Sequence, residues 1–237
     1  MSVAANLVRR IVPPRTREVV LRGLNRARSR FLPEPYRSVL PYTMVGLDRL
    51  RKLDELANVV DRDGIRGDIV ECGTCNGGSG AILARVACRS PHGRHTWLLD
   101  SFAGLPPAGD KDGPLAAEYT GLCCGQAETV REVLRKMGVP ENSVTLVPGW
   151  FQDTLPGLPV EQIALLHIDA DWYDSVLVVL KHLYDKVAAG GFVVFDDFGY
   201  WEGCRRACDD FLTSRRINVP LTIIDGIGAY IQKPAAE

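Results

Sequence analysis

The sequence predicts an α/β fold: a seven-stranded, mostly parallel sheet with helices on both faces and a C-terminal antiparallel hairpin. Three observations predict it. Short apolar runs alternate with longer segments whose apolar residues recur at three-and-four spacing, the pattern of strands joined by crossover helices. Two of the runs end abruptly in acids: Leu165, Leu166 and Ile168 lead into Asp169 and Asp171, and Phe192 to Phe195 lead into Asp196 and Asp197. The last two runs are separated only by Asp225-Gly226-Ile227-Gly228, a tight hairpin turn.

Composition narrows the class. A chain of 237 residues suits one domain with a sizeable core, and a hydrophobic content of 46% with 24% charged residues is that of a globular protein rather than a disordered one. The net charge of −1 gives the whole chain no drive toward nucleic acid. The charge is uneven, however. Residues 1–40 hold nine arginines, no lysine and two acids, against 19 basic and 27 acidic groups in the remainder. This sets off a basic, partly helical arm (1–40) from a main domain (41–237). No run is long enough for a transmembrane helix, and the N-terminus lacks the apolar core of a secretory signal. The seven cysteines are odd in number, which argues against a disulfide framework and for reduced thiols in the cytoplasm. A zinc site from Cys72, Cys75, Cys204 and Cys208 is the less favoured use of their spacing.

In the arm, Leu7, Val8 and Ile11 precede Pro13-Pro14, which is expected to break any helix there. A helix over 19–30 follows, apolar on one side and arginine-rich on the other: a solvated or self-associating helix, or one that docks a partner or a membrane surface. Leu47, Leu50, Leu53, Leu56 and Val60 mark a buried stripe on a helix over 42–61. Residues 68–73 are the first strand. It runs into Thr74-Cys75-Asn76-Gly77-Gly78-Ser79-Gly80 and a helix over 81–88. This strand, glycine turn and helix is neither the dinucleotide G-x-G-x-x-G nor a P-loop. Glu71, just before the turn, instead suits a ligand bearing an amine. Residues 95–100 are the second strand, ending in Asp100, where an acid is placed to take ribose hydroxyls. Residues 103–124 are long and rich in proline and glycine, the mark of a functional loop, read here as a lid or substrate-shaping insertion.

A helix over 127–137 and a strand over 144–149 follow. Gln152 and Asp153 then either read an adenine edge or form a plain capped turn. Residues 163–169 are the fourth strand and 173–187 a helix. Gly190-Gly191 closes that helix and opens a strand over 192–196. Phe198, Tyr200 and Trp201 are either core or an apolar wall beside the acids. A helix over 202–215 and the hairpin strands 221–225 and 229–232 complete the chain. His167 is expected to be a buried, hydrogen-bonded core residue.

In an open α/β sheet, ligands bind beyond the carboxyl ends of the strands. Two neighbouring strands ending in acid pairs would bring three or four carboxylates together. So close a group requires a shared proton or a cation, and oxygen-only ligands favour Mg²⁺, Mn²⁺ or Ca²⁺. The alternative is that these aspartates only cap the helices that follow. An amine-binding acid with a ribose-binding acid and no phosphate site matches S-adenosylmethionine, although another adenosine ligand fits the same fold. The whole topology is that of a class I methyltransferase, a Rossmann-like fold.

Six stretches then carry a resemblance: Tyr42-Thr43-Met44-Val45-Gly46; Glu71-Cys72-Gly73 with Gly77-Gly78; the string from Asp100 to Pro107; Gly149-Trp150-Phe151 with Thr154-Leu155-Pro156; Asp169-x-Asp171; and Asp196-Asp197. In this order they resemble the macrocin O-methyltransferase family over roughly residues 42–233. Those enzymes methylate sugar hydroxyls of antibiotics with S-adenosylmethionine and Mg²⁺. The resemblance implies Asp169, Asp196 and Asp197 as metal ligands and Asp171 as general base. It implies a cofactor site from Thr43, Met44, Glu71, Gly73, Ser79, Asp100, Ser101, Phe102, Gln152 and Asp153. The family commonly has an aromatic residue and an arginine where this chain has Cys75 and Asn76. The expected function is thus methylation of a sugar hydroxyl on a glycosylated natural product, by a homo-oligomer that associates through the arm. A catechol-type methyltransferase and a non-catalytic adenosine-ligand-binding protein are the rivals.

Overall fold

The computed structural model describes residues 12–234; Leu7, Val8 and Ile11 lie outside the described residues. The first helix, α1 (Pro14–Ser29), begins at Pro14, ahead of the start expected at Val19. Proline has no N–H to lose in the first turn, and its fixed φ suits a helix start. A short helix α2 (Tyr36–Val39) and a 3₁₀ turn over Leu40–Tyr42 follow. The stripe helix α3 (Leu47–Arg62) starts later than the spacing suggests. Thr43 is extended, and its hydroxyl accepts the Val45 N–H at 3.0 Å, so the chain turns before it coils.

The strands are β1 (Asp68–Cys72), β2 (Thr96–Asp100), β3 (Val144–Pro148), β4 (Ile163–Ile168), β5 (Val187–Phe195), β6 (Thr222–Ile224) and β7 (Gly228–Gln232). They form one sheet in the order β3-β2-β1-β4-β5-β7-β6, parallel except for β7, which is antiparallel to both β5 and β6. The connecting helices are α4 (Gly78–Ala87), α5 (Ala127–Lys136), the single turn α6 (Phe151–Thr154), α7 (Tyr173–Leu183) and α8 (Glu202–Ser214). Side chains of a strand alternate between faces. Val70, Cys72, Leu166, Ile168, Val193 and Phe195 accordingly pack with α7 and α8, while Ile69, Leu165, Phe192 and Val194 pack with α3 and α4.

The strand β5 begins at Val187 and runs through Gly190-Gly191, which the sequence places before it. The edge of β7 holds it: Gly190 N–H donates to the Lys233 carbonyl, and Lys233 N–H donates to that of Gly191, both at 2.8 Å. Residues 103–124 are anchored rather than loose. Leu105 N–H donates to the Leu122 carbonyl and Gly121 N–H to that of Leu105, both at 2.8 Å, pinching the ends of the segment together. Within it, buried Asp112 accepts the Tyr173 N–H at 2.6 Å and so caps α7. Among the described residues no helix is long and apolar enough to cross a membrane.

Arg94 ties the C-terminus of α3 to the sheet. Its guanidinium donates to the carbonyls of Val60 (3.0 Å) and Gly67 (2.6 Å) and to Asp61 (2.9 Å), and it is 4% exposed. Truncation removes the charged partner of Asp61, whose carboxylate keeps only Ser90 Oγ, and the guanidinium donor to the Gly67 carbonyl, while the Val60 carbonyl keeps the Ile65 N–H. Arg94→Ala is therefore expected to cost about 3 kcal/mol of folding stability, read as a lower urea midpoint. A loss under about 1 kcal/mol would mean that water replaces the guanidinium without penalty.

Candidate active site

Three neighbouring strands end in register. Cys72 pairs with Ile168, and Ile168 with Phe195. The next residue of each strand is therefore at the rim: Gly73, Asp169 and Asp196. The ladder continues one step beyond the strands, because Asp169 N–H donates to the Cys72 carbonyl and Asp196 N–H to that of Ile168, both at 2.9 Å. Gly73 has φ +99, and a Cβ there would lie 1.8 Å from the Asp169 carbonyl oxygen; only glycine permits this approach. Asp171 has φ +56 and is spanned by a hydrogen bond from Trp172 N–H to the Ala170 carbonyl at 2.6 Å. Such backbone is uncommon for a residue with a Cβ, and non-glycine residues held in it cluster at functional sites.

Carboxylate oxygens of Asp169, Asp171 and Asp197 lie within 4.8 Å of one another. Burial pushes Asp169 far above the usual carboxylate range, helped by the charges of Asp196 and Asp197. Burial does the same to Asp171, with Asp197 the strongest repelling charge and a Trp201 hydrogen bond opposing it. Asp196 behaves differently. Burial alone would raise it, but Arg49 and His167 outweigh that and hold it below its usual value. Arg49 donates both to its carboxylate and, at 2.9 Å, to its carbonyl. The His167 Nε2 is 3.8 Å from Asp196 Oδ1, too long for a hydrogen bond, and both atoms are buried without a partner.

The acid rim opens into a cavity that runs to the glycine turn and the end of β2. There, Asp100 accepts the Cys75 N–H on one oxygen and the Phe102 N–H on the other, each at 2.7 Å. Each oxygen keeps a further lone pair for a hydroxyl donor. Of the residues singled out in the sequence, Thr43, Met44, Gly73, Ser79, Asp100, Ser101, Gln152, Asp169, Asp171, Asp196 and Asp197 line this cavity. Glu71, Phe102 and Asp153 do not. Glu71 is fully buried beneath the turn, accepting from Thr74 Oγ1 at 2.6 Å and paired with His167 Nδ1 at 2.9 Å. Phe102, at φ +53, packs instead into the core that holds Val130 and Leu134. Asp153 is exposed on α6. Tyr200 and Trp201 line the cavity while also packing with the core, and Phe198 packs against the core without lining the cavity.

Sequence reasoning gave no site role to Leu21 of α1, Arg49, Tyr119 or Trp150, all of which line the cavity. Arg49 left a signal: together with Leu53, Leu56 and Val60 it falls on the three-and-four stripe, and a charge on a buried stripe calls for a partner. Leu21 left none. The arm is brought to the site by contacts distant in sequence, such as Asn25 Nδ2 donating to the Thr43 carbonyl at 3.1 Å.

Known proteins resemble this chain in sequence and in fold. The family model described as macrocin-O-methyltransferase matches residues 17–233, so the match begins inside the basic arm. The 8-demethyl-8-(2,3-dimethoxy-alpha-L-rhamnosyl)-tetracenomycin-C 4'-O-methyltransferase of Streptomyces olivaceus is 37% identical over 245 aligned positions, covering 100% of this chain and 91% of the relative. The mycinamicin III 3''-O-methyltransferase of Micromonospora griseorubida is 33% identical over 82% of this chain and 79% of its own. The solved O-methyltransferase NovP superposes with a TM-score of 0.75 at 33% identity, covering 81% of this chain and 82% of that one. Relatives that are O-methyltransferases remove the purely ligand-binding alternative. With a family model matched along most of its length and a relative aligned along all of it, the chain belongs to the macrocin O-methyltransferase family and is itself an O-methyltransferase.

Proposed function

We propose that this enzyme methylates a sugar hydroxyl of a glycosylated natural product, with S-adenosylmethionine as donor and a divalent cation at the acid rim. The observation that carries the proposal is the cavity itself: Asp100 and the glycine turn at one end, and three crowded carboxylates at the other. The relatives support the sugar, since one is named for a rhamnosyl tetracenomycin and another for a mycinamicin.

The rim residues fit a cation. Their donors are all carboxylate oxygens within 4.8 Å of one another, Asp197 buried and Asp169 and Asp171 half-buried, and Asp196 Oδ1 is a buried acceptor without a partner. Asp169 and Asp197 would hold a hard ion such as Mg²⁺, Mn²⁺ or Ca²⁺, with Asp196 the third ligand when its carboxylate turns from Arg49. Such an ion, when bound, lowers the pKa of an acceptor hydroxyl and fixes its orientation. S-adenosylmethionine supplies an electrophilic methyl. The residues do the rest. Asp100 accepts the ribose hydroxyls, and Thr43, Met44, Gly73, Ser79, Ser101 and Gln152 line the donor's end of the cavity. Asp171 removes the acceptor proton as general base. Tyr200 and Trp201 give the sugar an apolar wall.

Calorimetry with S-adenosylmethionine, followed by methyl transfer to a panel of rhamnosides and other glycosides bearing neighbouring hydroxyls, tests the proposal. Donor binding with and without chelator is expected, and methyl transfer only without it. No donor binding would sink the donor assignment; transfer indifferent to chelator would sink the cation. The same reading has the enzyme working in the cytoplasm, supported by seven cysteines that form no disulfide. It has the chain self-associating through the arm, supported by exposed Val19, Leu24 and Phe31. A monomeric sedimentation profile at micromolar concentration would count against that association.

A further inference from the structure

The acid rim has a cation of its own. Arg49 is 2% exposed and lies in the first turn of α3, where an apolar side chain would continue the stripe. Its guanidinium faces two acids. Nη1 donates to the Asp196 carboxylate and carbonyl, and Nε donates to Asp225 Oδ2 at 3.3 Å. The space is shaped for it. A Cβ on Gly228 would lie 2.7 Å from Arg49 Cδ, and one on Gly46 would lie 3.1 Å from Asp225 Oδ2. Asp225 is itself fixed: its Oδ1 accepts the N–H groups of Ile227 (3.2 Å) and Gly228 (3.3 Å) in the turn between β6 and β7, and its side chain is 2% exposed. Arg49 thus has one partner at the rim and a second, preformed one outside it. Arg49 also lines the cavity that holds Asp169, Asp171 and Asp197.

We propose that Arg49 is the resident counter-cation of the acid rim: it holds Asp196 when no divalent ion is bound, opposes that ion electrostatically, and is retained by Asp225 when Asp196 is released. The inference rests on the divalent-cation reading above. Two physical points support it. A fixed positive charge a few ångströms from a buried site acts on an ion with little screening. And the guanidinium stays charged, because an arginine is not deprotonated in a protein. Arg49 is a positioning residue; nothing requires it to touch the substrate.

A structural role and this role predict opposite signs for metal affinity. Titrate the full chain with Mn²⁺ by calorimetry, and record thermal midpoints with and without the ion. Arg49→Gln is expected to bind Mn²⁺ about tenfold or more tightly, because one opposing charge has gone. Its metal-free midpoint is expected to fall, because Asp225 and Asp196 lose their partner, and to recover with Mn²⁺. Arg49→Lys should stay near the parent on both readouts. Asp225→Asn leaves Arg49 committed to Asp196, so Mn²⁺ should bind several-fold more weakly. Arg49→Gln binding with unchanged or lower affinity would overturn the proposal, as a merely structural arginine predicts. Should that variant not fold, Asp225→Asn decides: equal or tighter binding overturns it. If parent and variants all bind S-adenosylmethionine but none binds Mn²⁺, the divalent-cation reading has failed, and the role of Arg49 with it.

Discussion

Asp171→Asn is expected to lower kcat by about a hundred- to ten-thousand-fold while leaving donor affinity and the thermal midpoint nearly unchanged. Asparagine isolates the proton-transfer role for two reasons. The site has φ +56, and Asn, like Asp, is among the few residues with a Cβ that tolerate this region. Its amide oxygen also keeps an acceptor for the Trp201 hydrogen bond noted above. Backbone, volume and contact are retained, while basicity and one negative charge of the acid cluster are lost. Burial and the nearby Asp197 charge favour a protonated Asp171. A carboxylate in that setting is a stronger base than one in water, as removal of a hydroxyl proton requires. Alanine would combine the loss of the base with backbone strain and a void, so its larger effect would be uninformative. A kcat within about threefold of the parent, measured at saturating donor, would be far below the general-base range and would assign the proton to another group.

The architecture was legible in the sequence because its signals are periodic and local. The acid-terminated strands β4 and β5, the glycine turn after β1 and the final hairpin all lie where apolar runs and turn residues put them. Where the sequence misled, a distant neighbour decided. Gly190 and Gly191 look like a helix stop, yet Lys233, just past β7, hydrogen-bonds to both and carries β5 through them. Glu71 looks like a ligand group at the mouth of a turn. Its fate depends on register: it sits opposite His167 on β4, and Gly80, with a would-be Cβ 2.5 Å from Glu71 Oε2, leaves room for its carboxylate under the turn. No local pattern carries register between β1 and β4, because a crossover of many residues separates them. Arg49 follows the same logic, an ordinary helix residue until the fold sets it against Asp196. His167 is the buried, hydrogen-bonded strand residue its position suggested.

Gly73→Ala is expected to lower catalytic efficiency by at least about a hundredfold, the scale set by an ångström of misplacement in an active site, and to cost several kcal/mol of stability. Two effects act together. At φ +99 any side chain strains the backbone. And the added methyl would lie 1.8 Å from the Asp169 carbonyl oxygen and 2.7 Å from its carbonyl carbon, which is backbone that cannot turn aside as a flexible side chain can. Either the ends of β1 and β4 part, breaking the bond from Asp169 N–H to the Cys72 carbonyl, or Asp169 shifts away from Asp171 and Asp197. Gly121→Ala separates the two contributions. Gly121 has φ +75 but nothing within 4 Å of where an added methyl would lie, so it reports backbone strain alone, about 1 kcal/mol, with catalysis largely spared. Parallel urea unfolding and steady-state kinetics on both variants make the comparison. Equal losses of activity in the two would mean that strain, wherever it sits, is what the enzyme cannot bear, and that the close approach of Gly73 to Asp169 has no special hold on the catalytic carboxylates.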